Sequence, residues 1–426
     1  MTRNPFHGLP WHEKLTYGVL CLTLVSIALW WRIGIFAIVL LIIASIVKLI
    51  HTKRFGNPTL GTLQRVCLWA MVAYWLLYAI SAIISTNHVE ARLTASIKLY
   101  FFVLPLLCLC NDTTYLSRSR IRALFQVFTA TLLLRMLACS VAVCIDLVQG
   151  APFSEVMDWQ IDPLGMHHNY LALYINTALV FLYVQIVRLS QRTRRRQLPF
   201  MVLAATTLIA YLFLIASRSG LLTFGLLAIA AFLHLTFIRK KWKLSLCLLF
   251  LSAGLLAGVC LAIPNTFSRF TTPLRNRDAN HVADEREIIW SCSLKTAQKQ
   301  PVFGYGSGDY MPALLEAYTE RGYMKAVREE LDCHNQYLET LLETGIVGLA
   351  LLLFMLFTPF AASLRKGHQN LLVTMTILVI VGQMAFESML NRQMGSQFIS
   401  LIYCILILSL ASLPTTDSCT PVPTDN

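Results

Sequence analysis

Ionisable side chains that interrupt long apolar runs are the residues of this chain best placed to do chemistry. Arg218 stands in Ala216-Ser217-Arg218-Ser219-Gly220, a polar turn between two apolar stretches and too short to be a loop of its own. It reads either as a snorkelling flank residue or as an anion ligand. Arg286 heads a polar segment with no further base until Lys295, and Trp290, one helical turn on, is placed to buttress it. The plainer reading of Arg286 is an ion pair with Glu285 or Glu287. His334 lies in Asp332-Cys333-His334-Asn335-Gln336-Tyr337, where Asp332 and Asn335 offer orienting partners to an imidazole that titrates near neutral pH. The pattern starts a helix at His334, whose N-terminus would disfavour the imidazolium and keep the ring a base. His167-His168-Asn169 is a second polar cluster, fitted to bind a sugar or, as the preferred reading, to cap a helix. Arg92 and Lys98 flank another apolar run, where they add positive potential or serve the structure.

Arginine forks bind phosphate oxygens bidentately. A leaving pyrophosphate needs charge neutralisation more than it needs a proton. Arg218, Arg286 and the Gly-rich turn Pro301–Gly308 (P-V-F-G-Y-G-S-G) therefore suit an anionic lipid headgroup, with His334 as candidate base. His168, Arg92, Lys98 and Asn335 complete the candidate binding set. No D-x-D, C-x-x-C or H-E-x-x-H occurs in the chain, so the sequence offers no support for a metal-held nucleotide or a metal site. The reading is of a site with no metal and no cofactor.

The elements that position these residues must be membrane helices. The chain has 426 residues, 56 % of them hydrophobic and only 13 % charged, against roughly 25 % charged in a soluble protein. Twelve spans of about 20 residues would absorb the apolar content. A soluble multi-domain enzyme is excluded, and long unbroken apolar runs exclude a β-barrel. Spans are read at 15–31, 33–50, 66–85, 96–110, 123–148, 168–187, 199–216, 219–238, 244–263, 345–360, 370–388 and 397–413. The net charge of +13 could suggest nucleic acid, but most bases fall in connections on one side, among them Arg194, Lys241 and Arg118. That is a topology signal, and it places both termini in the cytoplasm. It also makes Arg218, on the opposite side, costly as a mere flank residue. The first apolar run ends in Trp30-Trp31-Arg32 without a small-x-small cleavage pattern, so it is read as a retained helix.

One segment differs in kind. Residues 264–344 form a near-neutral outer loop subdomain between a bundle of nine spans (1–263) and three more (345–413), with a polar tail at 414–426. A helix of about 15 residues begins at Asp284-Glu285, and a second follows Asp309 with Pro312 in its first turn. Cys292 and Cys333 sit in this loop; unpaired thiols are the preferred reading over a disulfide.

The pattern S-R-S-G at the head of the eighth span, R-x-x-x-W in the loop, P-x-x-G-x-G, and H-N-x-Y-L-x-x-L-x-E-T-G-x-x-G entering the next span resembles the O-antigen ligase and polymerase superfamily. The earlier H-H-N-Y-L-A fits as well. The motifs cover about residues 167–348, and the span arrangement covers most of the chain. The resemblance implies an all-α polytopic protein of the bacterial inner membrane, with about 12 transmembrane helices and one large, mostly helical periplasmic loop, as in glycosyltransferase C folds. It implies transfer of a glycan from undecaprenyl pyrophosphate to the lipid A–core oligosaccharide, with inversion and without metal. Arg218 and Arg286 would bind the pyrophosphate, and His334 would activate the acceptor hydroxyl. One late loop and a short 149–167 connection favour a ligase over a polymerase or a protein O-oligosaccharyltransferase of the same superfamily. A lipid-linked sugar transporter is the competing class. It would want ionisable residues deep in the spans, where Arg135 qualifies while Asp146 and Glu387 lie near span ends.

Overall fold

The computed structural model describes residues 5–151, 165–189, 191–215, 217–243, 246, 250, 254, 285–365 and 371–411. Among these residues there is no strand; the chain is a helical bundle. Its helices are α1 (Trp11–Leu29), α2 (Trp31–Thr52), α3 (Thr62–Ile84), α4 (His88–Ile97), α5 (Tyr100–Cys110), α6 (Arg118–Val148), α7 (His168–Arg188) and α8 (Gln191–Leu214). They continue with α9 (Arg218–Leu233), α10 (Glu285–Lys299), α11 (Tyr310–Glu320), α12 (Met324–Glu329), α13 (Gln336–Arg365), α14 (Leu371–Met384) and α15 (Gln393–Ala411). Among the described residues, ten spans are long and apolar enough to cross a membrane, α4 and α5 forming one of them, and α14 is a shorter apolar helix. The protein is therefore an all-α, multi-pass membrane protein. Each expected span finds its helix except 244–263, which apart from isolated positions lies outside the described residues, as do the tail 414–426 and most of the 149–167 connection.

Helices α7 and α15 are the most deeply enclosed of the spans. Their apolar side chains pack against α6, where Phe128 and Phe398 stack and Tyr174 lies face to face with Phe398. Arg135, in the middle of α6, is 1 % exposed. Its guanidinium donates to the carbonyls of Ala28 and Leu29, at the end of α1 where the chain turns through Trp30 into α2. This deep arginine is thus a helix C-cap, since the last carbonyls of a helix attract a cation.

The loop segment carries its own small core, in which Ile289, Leu314, Tyr318 and Cys333 are buried together. Helix α10 has the expected 15 residues, and α11 follows Asp309 as expected. The third helix starts at Gln336 and not at His334. Asn335 Oδ1 accepts the Tyr337 and Leu338 amides at 3.0 and 3.2 Å and so defines the helix start two residues later than the sequence pattern suggests. Cys292 and Cys333 are free thiols.

This segment is fastened to the bundle at a break in α13. Gly345 has φ 65 and ψ −162, which interrupts the helix and is a conformation nearly restricted to glycine. The interrupted backbone pairs with the Gly-rich turn: Tyr305 N donates to Leu342 O and Gly306 N to Glu343 O, while Ile346 N donates to Pro301 O. A Cβ on Gly345 would lie 2.1 Å from Val302 O, and one on Gly304 would lie 2.5 Å from Leu342 O. Next to this seam, Ser307 N donates to Ser81 Oγ, and Asp309 receives the Thr86 and Asn87 amides at the start of α4. Those amides hold the Asp309 carboxyl below its ordinary value, against the effect of its partial burial.

Candidate functional site

The turn between α8 and α9, the start of α7, the start of α10, the approach to α13 and the turn beyond α14 meet around one cavity of about 390 Å³. It is lined by Arg218, Arg286, His334, His168 and Glu387, with Glu285, Lys325 and Glu329 on its wall.

His334 is in a bend with φ 44, a left-handed conformation uncommon for a residue with a side chain. The bend is held by its own amide, which donates to Asp332 Oδ1 at 2.9 Å. The imidazole Nδ1 is 3.2 Å from the same Asp332 oxygen and 3.5 Å from Glu387 Oε1. With Nδ1 engaged by carboxylates, Nε2 is the nitrogen left for the cavity. The hydrogen bond to Glu387 raises the ring above its ordinary value; burial opposes this, and the Asp332 charge adds to it. That corrects the expectation from the helix N-terminus. His334 lies outside the first helical turn, and two acids behind the ring outweigh the helix dipole. The ring stays a base, and a stronger one. Burial pushes the Asp332 carboxyl up, against the pull of His334.

Glu387 is in turn fixed by Asn169, whose Nδ2 donates to Glu387 Oε2. Asn169 Oδ1 accepts hydrogen bonds from Ser217 Oγ at 2.7 Å and Ser219 Oγ at 3.0 Å, the two residues on either side of Arg218. A continuous chain of hydrogen bonds therefore runs from the arginine turn to the histidine. Ser217 Oγ also accepts from Gly220 N and caps α9, and Gly220 lets α9 sit against Ala172 of α7, where a Cβ would come within 2.4 Å. These contacts explain why small polar residues flank Arg218.

Arg286 is held differently from the expectation. Its guanidinium lies 5.7 Å from the centre of the Phe386 ring, a cation–π contact. Trp290 supports it indirectly: its ring is 6.4 Å from that of Phe386, and its Nε1 donates to Cys333 O at 3.1 Å, tying α10 to the His334 bend. His167, and not His168, caps α7, through Nδ1 accepting from Asn169 N. His168 stacks on His167 with ring centres 4.1 Å apart and faces the cavity.

The structure brings Arg218, Arg286, His334 and His168 together, and places the other three candidates elsewhere. Asn335 caps α13 with its side-chain oxygen. Lys98 is fully buried, 2.8 Å from Asn391 Oδ1 and 3.6 Å from Glu343 Oε1, below the Tyr78 ring. Its network continues through Glu339 to Ser388 and to Tyr310 of the loop. Arg92 lines a separate groove of about 610 Å³ between α3 and α4. Sequence reading missed the roles of Asn169 and Glu387, although both were visible as polar residues at span ends. Lys325 carried no such signal.

Asp332, His334 and Glu387 present ligand atoms within 4.8 Å of one another, a donor set that a divalent cation could take. The same atoms make the His334 Nδ1 contacts to Asp332 and Glu387 described above.

Residues 202–353 match the family model described as O-antigen ligase. Over 159 residues the chain is 25 % identical to an uncharacterized protein of Haemophilus influenzae, a match covering 36 % of this chain and 40 % of that protein. It therefore spans less than half the length of this relative. The region that is similar to the O-antigen ligase family model contains Arg218, Arg286 and His334, three of the residues that line the cavity.

Proposed function

We propose that this protein transfers a glycan from undecaprenyl pyrophosphate to a sugar hydroxyl of the lipid A–core oligosaccharide, at the periplasmic face of the bacterial inner membrane. The observation that carries the reading is the single cavity in which two arginines face a histidine backed by carboxylates. Arg218 and Arg286 would grip the pyrophosphate and take up its charge as the glycosidic bond breaks. His334 Nε2 would remove the acceptor hydroxyl's proton as that oxygen attacks the anomeric carbon from the face opposite the leaving group, so the anomeric configuration inverts. Glu387 and Asp332 would stabilise the imidazolium that forms. The two guanidinium groups do the work that a metal does in other pyrophosphate chemistry, and chelators should leave transfer unchanged.

Deleting the gene and comparing lipopolysaccharide with the carrier-linked glycan pool tests the reading. A ligase loss leaves full-length polymer on the carrier and bare core. Core bearing one repeat would mean a polymerase, loss of protein glycans a protein O-oligosaccharyltransferase, and donor retained in the cytoplasmic leaflet a transporter.

A further inference from the structure

We propose that Lys325 is a third cation of the donor site, and that Glu285 holds its place until the donor's pyrophosphate takes it. The proposal rests on the pyrophosphate reading above and extends it to the choice between a pyrophosphate lipid and a monophosphate one.

Lys325 Nζ lies 2.6 Å from Glu285 Oε1, and both side chains line the cavity with Arg218, Arg286 and His334. The pair is about half exposed (47 % and 57 %). A solvated ion pair of this kind is weak and exchanges readily for a better anion. Glu285 immediately precedes Arg286 in the first turn of α10, where the helix dipole favours negative charge. The hydrogen bond from Lys325 lowers its carboxyl below the ordinary value, and the charge of Arg218 contributes in the same direction. A carboxylate therefore already sits among the cations of the cavity, at the place a ligand anion would want. Glu329, one turn beyond Lys325, adds a second acid to that wall, and Glu387 is committed to His334 and Asn169.

A pyrophosphate brings more charge and more acceptor oxygens than one carboxylate, so it would draw Lys325 from Glu285. A monophosphate can be satisfied by the two arginine forks alone. The third cation thus gives the site its preference for the second phosphate.

The two partners of this ion pair should respond in opposite directions. The full-length protein in nanodiscs would be titrated with farnesyl pyrophosphate and with farnesyl monophosphate. Lys325→Met should weaken pyrophosphate binding about ten-fold, the order expected for losing one charge-assisted contact, and change monophosphate binding little. Glu285→Gln should tighten pyrophosphate binding. If the pair is only structural, both variants shift binding the same way or not at all while Arg286→Ala still loses it, and the proposal is overturned. If Arg286→Ala also binds normally, the pyrophosphate reading itself falls.

Discussion

At the scale of residues, the reactivity of His334 is set by what lies behind the ring. Because the Glu387 hydrogen bond raises the imidazole above its ordinary 6.5, the base form, and with it transfer, should appear only as pH rises through that raised value. Glu387→Gln removes the main raising influence. The acidic limb of the kcat profile should therefore move to lower pH while the maximum falls, because the weaker base is also less well oriented. A profile that stays in place would detach Glu387 from the proton. His334→Ala should reduce transfer by about 10²–10⁴, the usual worth of a positioned base, with donor binding nearly intact. His168→Ala should be milder and act on KM, since His168 faces the cavity without capping its helix. Arg218→Lys keeps the charge but loses the fork, so donor binding should weaken despite the conservative change. Normal transfer and normal binding by that variant would put the pyrophosphate elsewhere.

At the scale of elements, the decisive feature is the seam between the Gly-rich turn and the break in α13. Gly345 combines a conformation that costs other residues about 1–3 kcal/mol with a Cβ position 2.1 Å from Val302 O. Gly345→Ala should lower the thermal midpoint in detergent and, because α10 hangs from the same subdomain, weaken donor binding too. Ile346→Ala, one residue on at a half-exposed position, is the matching control. If the Gly345 variant melts and binds like the parent, the seam is not what holds Arg286 in register. The two glycine motifs were both readable in the sequence, and so were α10 and α11. That they pair with each other was not, because a backbone-to-backbone match between segments some 40 residues apart leaves no trace in composition or periodicity. The sequence pattern starts α13 at His334, whereas Asn335 supplies the capping oxygen and the helix begins after it.

At the scale of the whole molecule, the span pattern was the most legible part, since apolar length alone decides which segments cross a bilayer. The orientation rests on the distribution of lysine and arginine. Single cysteines at Arg194 and Lys241 should be labelled only from the cytoplasm, and one at Ala313 only from the periplasm. Ala313 labelled from the cytoplasm would invert the protein and end the proposed chemistry. The site was half legible. Arginine and histidine announce themselves by being ionisable in an apolar chain, whereas Asn169 and Glu387 gain their roles from α7 and the turn after α14 coming together. Arg135 gave the opposite lesson. Its position suggested a transport path, yet its partners are the carbonyls that end α1.

The paired glycine motifs also bear on how such a protein is made and how it can be re-engineered. The Gly-rich turn is synthesised some 40 residues before the break it completes, so the span that follows is delivered with Leu342 and Glu343 carbonyls that have no helical partner. Their backbone groups, enclosed by protein in the finished structure, would stay unsatisfied at appreciable cost until the turn docks. Biogenesis of this half of the protein should thus be a single event, in which neither residues 285–335 nor the span that follows can mature alone. Chimeras should respect this: exchanging residues 285–348 between relatives as one cassette should give a stable product, whereas exchanging the segment only up to Asn335 should leave a protein that is cleared by proteolysis.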